Sequence, residues 1–458
     1  MHNLLRCRRG SAAFATVLAL VPLIGVVALG GEAGSWYVTK QHAQNAADSA
    51  ATSGALTIAI QNAADPALSD SQTYDYRAKQ FAAQNGFCDA SDTTAYPGSR
   101  CIAPLPTGIS QTVQVALLTT WNGVNGTFVR ATVSQQQPAY LAAVLGLSTV
   151  NIPAQAIAQV KSEDTKQLCG VGLGRYSGSG SPTSALQFAG SETLSGNGCG
   201  FQSNNTVKYA SAPTFNGTGW AVYASTGCVN SGTCDPGVPY NYSKLPVFNP
   251  FAATLDSLFT TASVSGSGNP CGGNGNNTNI STGQSCTVSP NTPTTAYGGN
   301  LTVASGGTLT FQAGGTYFFK DTAINFSGTI TGTSINIVLV GNSSLSITGG
   351  PVNLSANFNN TNYPALNGVL IDDQAPNRSN LAVTINGSAG VTLALGGTMY
   401  FPNVDVTMGG NSQNANTACT EVIANSLKFS GGTSYLSTQS CGVGGNKPPT
   451  TQVVALVQ

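Results

Sequence analysis

From Gly10 to Gly31 the chain runs 22 residues without a charge, between Arg9 on one side and Glu32 on the other. At roughly 1.5 Å of helical rise per residue, such a stretch is long enough to cross the hydrocarbon of a bilayer. Arg6, Arg8 and Arg9 precede it, whereas the first ionisable residues beyond it are Glu32 and Lys40. The positive-inside rule therefore places residues 1–9 in the cytoplasm and the chain after residue 32 outside. Pro22 lies mid-span, where membrane helices tolerate proline with a kink. A cleaved secretory leader is the competing reading, since Ala28-Leu29-Gly30 is a small-x-small site. The apolar run exceeds the roughly 7 to 15 residues of a leader core and the helical pattern continues past Gly30, so a retained anchor is expected. Either way the remainder is exported.

An exported body explains the cysteine usage. Cys7 precedes the anchor, and ten cysteines follow it: Cys88, Cys101, Cys169, Cys199, Cys228, Cys234, Cys271, Cys286, Cys419 and Cys441. An even number in an oxidising compartment implies disulfides, and pairing of nearest neighbours is expected because each consecutive pair brackets a polar, Gly-rich loop. Zinc is disfavoured, since no Cys-x-x-Cys and no nearby histidine occurs. Charged residues make up only 7% of the chain, with 17 of each sign and 55 glycines. That balance offers no basic face for nucleic acid. Combined with 41% hydrophobic residues, it suits repetitive β structure with polar turns rather than disorder.

Residues 33–62 continue as a helix beyond the span. Trp36 and Tyr37 stand where aromatic side chains anchor at the headgroups. Trp36, Ala43 and Ala50 recur every seven residues with Ala46, Ala47 and Gly54 beside them, a small-residue face that could receive a partner helix or belong to a plain stalk. Taken together, Arg8-Arg9-Gly10-Ser11-Ala12-Ala13-Phe14, Pro22, Glu32, Trp36-Tyr37 and Gln44-Asn45-Ala46-Ala47-Asp48-Ser49-Ala50-Ala51 resemble the N-terminal segment of the TadE/TadG-like proteins of tight-adherence (Flp) pilus assembly. The resemblance implies a minor component of a bacterial pilus machine, anchored in the inner membrane with its N-terminus cytoplasmic and its body periplasmic or extracellular. It also implies the bilayer and other pilus-assembly subunits as partners, with a surface glycan or the pilus itself as a further partner. No glutamate follows Gly10 within a few residues, so prepilin-type processing is not expected.

Residues 63–160 read as a small α/β unit. Helix is expected from Tyr74 to Asn85 and from Ala139 to Leu145, and strands at Thr112–Thr119, Thr127–Ser134 and Val150–Val160. The charge cluster Lys161, Glu163, Asp164 and Lys166 marks a linker, 161–168. From 169 to 445 short apolar-polar-apolar runs such as Leu301-Thr-Val, Leu309-Thr-Phe and Ile335-Asn-Ile-Val-Leu-Val alternate with Gly-Gly and Ser-Gly turns. This pattern predicts a mostly-β region, a right-handed parallel β-helix in which Cys169 to Phe248 supply the first coils, with a β-sandwich as the rival. Pro250 to Thr261 reads as a short amphipathic helix, and residues 446–458 as a tail. Asn367 to Gly442, with Gly397-Thr-Met-Tyr-Phe-Pro, also resembles Gly-rich β-domains of some pilus-assembly proteins, but the Asp-x-Ser-x-Ser metal motif of a von Willebrand type A domain is absent.

Chemistry has little to work with. The two histidines are His2 and His42, which leaves no Ser-His-Asp or Cys-His site in the exported body. The one carboxylate concentration is Asp372-Asp373 with Arg378, expected as a solvated loop; neighbours on a strand face opposite ways, so the two cannot share a cleft. A non-enzymatic pilus-assembly protein without cofactor or metal is expected, and a surface adhesin or carbohydrate-active β-helix protein on a similar anchor is the alternative.

Overall fold

A computed structural model describes residues 8–62, 71–175, 184–190, 192–195, 198–230, 234–247, 249–252, 254–256, 258–272, 277–375, 383–388, 391–410, 419–431, 433–435 and 449–458. They fall into two compact units. The first takes the described residues of Met1–Ile58, Asp70–Lys161 and Val454–Gln458, and the second those of Ala59–Ser69 and Ser162–Val453.

The first unit is built on helix α1 (Arg8–Asn62), continuous through Pro22 and through Ala28-Leu29-Gly30. Its second half lies against an antiparallel meander of β1 (Ser110–Trp121), β2 (Val124–Pro138) and β3 (Thr149–Gly172). Alternation sets the buried face: Val113 pairs with Val133, Val133 with Ala154, and Val129 with Ala158, all in one core with Ala43, Ala47, Ala50 and Ala55. The small side chains bring helix and sheet close. A Cβ on Gly54 would stand 2.9 Å from Val129 Cγ1. Helix α2 (Tyr74–Gln84) adds Ala78 and Ala82; Thr73 caps it by accepting from the Tyr76 N–H. The second expected helix is a 3₁₀ turn, Ala142–Leu145. The expected linker at 161–168 is extended, as part of β3, which runs from Thr149 to Gly172, and the division between the two units falls there, at Lys161 and Ser162. The expected tail carries strand Thr450–Leu456, and beyond it Val457 donates to the Ile157 carbonyl (2.8 Å) while Ile157 donates to the Gln458 carbonyl (2.9 Å).

In the second unit the strand ladders are parallel. Thr278 pairs with Leu301, Leu301 with Ile324 and Ile324 with Leu345, so the parallel pairing recurs every 21 to 23 residues. Three such ladders recur per coil: a second runs through Ser285–Val288, Thr308–Phe311 and Thr329–Val340, and a third through Thr316–Lys320, Thr329–Val340, Val369–Gln374 and Leu393–Gly410. Their inward residues, among them Tyr317, Ile337, Ile371, Met399 and Val422, form one continuous core. The coils are not stacked in chain order. Val422 pairs with Gly170 and Gly170 with Phe201, so the strands of Cys169 to Phe248, the segment expected to supply the first coils, pair beyond Thr420–Ser430 instead. Gly170 permits that junction, since a Cβ there would lie 2.6 Å from the Phe201 ring.

The chain must then return from Tyr240–Asn241 at one end of the third ladder to Gly268 at the other. The described residues of 245–264 make this return as a strap along the ladder's outer side. Val247, Phe251, Leu255, Phe259 and Val264 pack there on Val171, Ile423, Tyr400, Val338 and Phe318. The expected helix at Pro250–Thr261 is a series of turns, with Leu255 N–H to Phe251 O and Leu258 N–H to Leu255 O. Its four-residue apolar spacing comes from matching the ladder beneath. Disulfides join Cys88 to Cys101, Cys169 to Cys199, Cys228 to Cys234 and Cys271 to Cys286. Cys419 is also disulfide-bonded, and Cys441, its expected partner, lies outside the described residues.

Candidate membrane anchor and assembly site

Helix α1 changes character along its length. Leu23, Val26 and Val27 are 64%, 71% and 69% exposed, although they are among the most apolar side chains in the chain. This is the helix segment whose length and composition suffice to cross a membrane. Among the described residues nothing comes within 4 Å of a Cβ position at Gly25, Gly30, Gly31 or Gly34, so no described part of the chain packs on them. Arg8 and Arg9 open the helix, Pro22 is exposed on it, Trp36 is half-buried and Tyr37 exposed.

Glu32 marks the change. Its carboxylate accepts from the backbone N–H groups of Tyr140 (2.6 Å), Leu141 (3.1 Å) and Ala142 (2.9 Å). Those amides lead into the 3₁₀ turn and have no partner within it, so an anion from outside the turn satisfies them. Two helical turns and more further on, Lys40 donates to the Pro153 carbonyl, and Gln44 donates to the Gln155 carbonyl (3.1 Å) and to Asp48 (2.8 Å). From Ala43 one face of the helix is interior. Ala43, Ala47 and Ala50 have no exposed surface, because the chain's own sheet covers them. The expectation of a partner-binding stripe is corrected accordingly: close backbone approach is what these small residues provide, and β1, β2 and β3 receive it.

The acidic residues of the second unit also differ from expectation. Asp372 and Asp373 lie on strand Val369–Gln374 and are fully buried, not solvated; Arg378 is outside the described residues. Opposite facing does hold. Asp372 pairs with Val338 and Tyr400, in the layer beneath the strap, while Asp373 pairs with Leu339 of the interior core. Burial pushes the Asp372 carboxyl well above the usual range, aided by Asp373 and by Asp256 of the strap, although a hydrogen bond from Gln374 opposes it. Burial likewise raises Asp373 to about 7, Glu192 to about 7, and Glu421 well above its ordinary value. Among the described residues Asp372, Asp373 and Glu421 each have a buried oxygen without a hydrogen-bond partner.

Sequence reading missed the polar clasp over this layer. Tyr400 donates to Asp256, Arg175 meets the other Asp256 oxygen at 2.5 Å, and Asn249 donates to the Tyr400 hydroxyl at 2.8 Å. At the strap's ends, Asn204 exchanges two hydrogen bonds with Val247, and Lys320 donates to the carbonyls of Thr261 and Val264. These residues are scattered from 175 to 400 and carry no local motif. Among the described residues no group of three or more His, Cys, Asp or Glu side chains could hold a metal ion.

No curated protein matches the chain. A solved structure, the competence-associated pilin ComZ from Thermus thermophilus, aligns over 87% of this chain and 97% of its own at 10% identity and a TM-score of 0.18, a likeness too low to bear on the fold. Residues 10–57, which hold the apolar span, Glu32 and the alanine face, match the Tad family model, described as "Putative Flp pilus-assembly TadE/G-like".

Proposed function

We propose that the chain is a membrane-anchored, non-enzymatic protein of tight-adherence pilus assembly, TadG-like in its role, with the N-terminus cytoplasmic and the body beyond the inner membrane. One observation carries this reading. The family match over residues 10–57 takes in both the exposed apolar span and the alanine face that packs on the sheet, so the shared segment is a span joined to a domain core rather than a bare hydrophobic run. Glu32 supports it from the same segment by tying the outer end of the span to the 140–142 amides. The parallel ladders support a β-helix that serves as a stiff scaffold, since each coil is held by backbone bonds to the next. A non-enzymatic role agrees with carboxyl groups enclosed beneath packed side chains, where no substrate reaches them.

Deletion of the chain in its host, with pili counted by electron microscopy, tests the role. Loss of pili restored by the full chain is the expected result. Undiminished piliation in the deletion strain would contradict it.

A further inference from the structure

The edge of β1 carries a feature that the anchor and scaffold do not use. Among the described residues β1 pairs with β2 alone. Its other edge is covered only at the start: Ala90 donates to the Gln111 carbonyl (3.2 Å) and Val113 donates to Asp89 Oδ2 (3.3 Å). In an antiparallel pair alternate residues turn both backbone groups to the same side. Gln111 and Val113 therefore set the outward parity, and Val115 and Leu117 continue it with no backbone partner among the described residues. Natural edge strands are usually blunted by a charge or a proline. The β1 sequence, Ser-Gln-Thr-Val-Gln-Val-Ala-Leu-Leu-Thr-Thr-Trp, contains neither, and Leu117 is 47% exposed.

Where the open edge begins there is a cavity of about 430 Å³, lined by Asp75, Lys79, Asp89, Val115, Arg130 and Thr132. Most of its charge is already satisfied. Lys79 Nζ lies 3.0 Å from Asp75 and 4.0 Å from Asp92. The Asp89 carboxylate accepts from the Ser91 N–H, the Ser91 hydroxyl and Val113. Arg130, half-buried and opposite Ala116 in the β1–β2 register, has no hydrogen-bond or ion-pair partner among the described residues. The unsatisfied charge in the cavity is thus a guanidinium, whose planar fork suits a carboxylate.

We propose that the β1 edge from Val115 onward is a strand-addition site for an extended segment of a partner protein, which sets a carboxylate on Arg130. Backbone bonds would supply affinity and Arg130 selectivity. A second copy of this chain is the poorer occupant: Ser110 to Pro138, the whole β1–β2 hairpin, contains no Asp or Glu to meet Arg130.

The test uses the full chain in detergent and two fluorescent probes, acetylated Thr-Val-Thr-Val-Thr-Val with a free C-terminal carboxylate and the same peptide as an amide. The carboxylate peptide should bind on the order of tenfold more tightly than the amide. Arg130→Gln should bring the two affinities together while leaving the amide peptide unaffected, and backbone N-methylation of the peptide should abolish binding of both. Failure of both peptides to bind, equal affinities for the unmodified chain, or a difference that survives Arg130→Gln would overturn the proposal. So would a β1-mediated dimer that excludes the peptides.

Discussion

Glu32 acts through its charge and its two acceptor oxygens, each within hydrogen-bond reach of main-chain N–H groups at 140–142. Replacing it with alanine leaves those three amides without the anion and should cost about 1 to 2 kcal/mol. Hydrogen exchange read at residues 140–142 is the sensitive measurement, with faster exchange there than at β2 expected. The buried acids make a different prediction, about pH. Asp373 and Glu192 are both raised to about 7 by burial, so each favours the folded state while protonated. Their contribution is complete below their ordinary values near 4 and is lost as pH rises through about 7. The body should therefore melt at a higher temperature at pH 5 than at pH 8, and Asp373→Asn should flatten that slope. A melting temperature that falls on acidification through this window would contradict the burial account. The Asp372-Asp373 pair was legible as two carboxyls facing opposite ways, but not as buried. The burial of Asp372 depends on a strap more than a hundred residues away in sequence, and that of Asp373 on the interior core beside Leu339.

At the scale of elements, the two halves of α1 were readable because their signals are local. An uncharged run and a seven-residue alanine spacing are visible in the sequence, as are α2 and the three strands of the meander. What the alanine face meets was not readable, since small residues invite any backbone and do not name one. Its intramolecular role has a consequence. Ala50→Leu should overpack the helix–sheet core and destabilise the first unit by about 1 to 3 kcal/mol, seen as a lower melting temperature even in the absence of other pilus subunits. Unchanged stability would return Ala50 to the surface. The strap is testable in the same way: Leu255 is fully buried, so Leu255→Ala should cost about 2 to 5 kcal/mol and raise protease cutting within 245–264.

Over the whole molecule, strand composition and glycine turns revealed a mostly-β region of short strands but not the order in which they pair. Short strands of similar pattern are interchangeable as neighbours, and it is the pairings of Val422 with Gly170 and of Leu427 with Leu186 that place the chain's entry in the middle of the ladders. The strap follows from that entry, because the chain has to run back along the stack before the remaining coils can form. Neighbouring cysteines were readable for the opposite reason: each observed disulfide closes a short loop whose ends are close in sequence, the longest spanning 30 residues. The account depends most on the span remaining attached to the helix that completes the first core. Intact-mass measurement on protein extracted from membranes tests this directly. It predicts a mass that includes Gly10 to Gly31; a mature chain starting near Gly31 or Glu32 would contradict it.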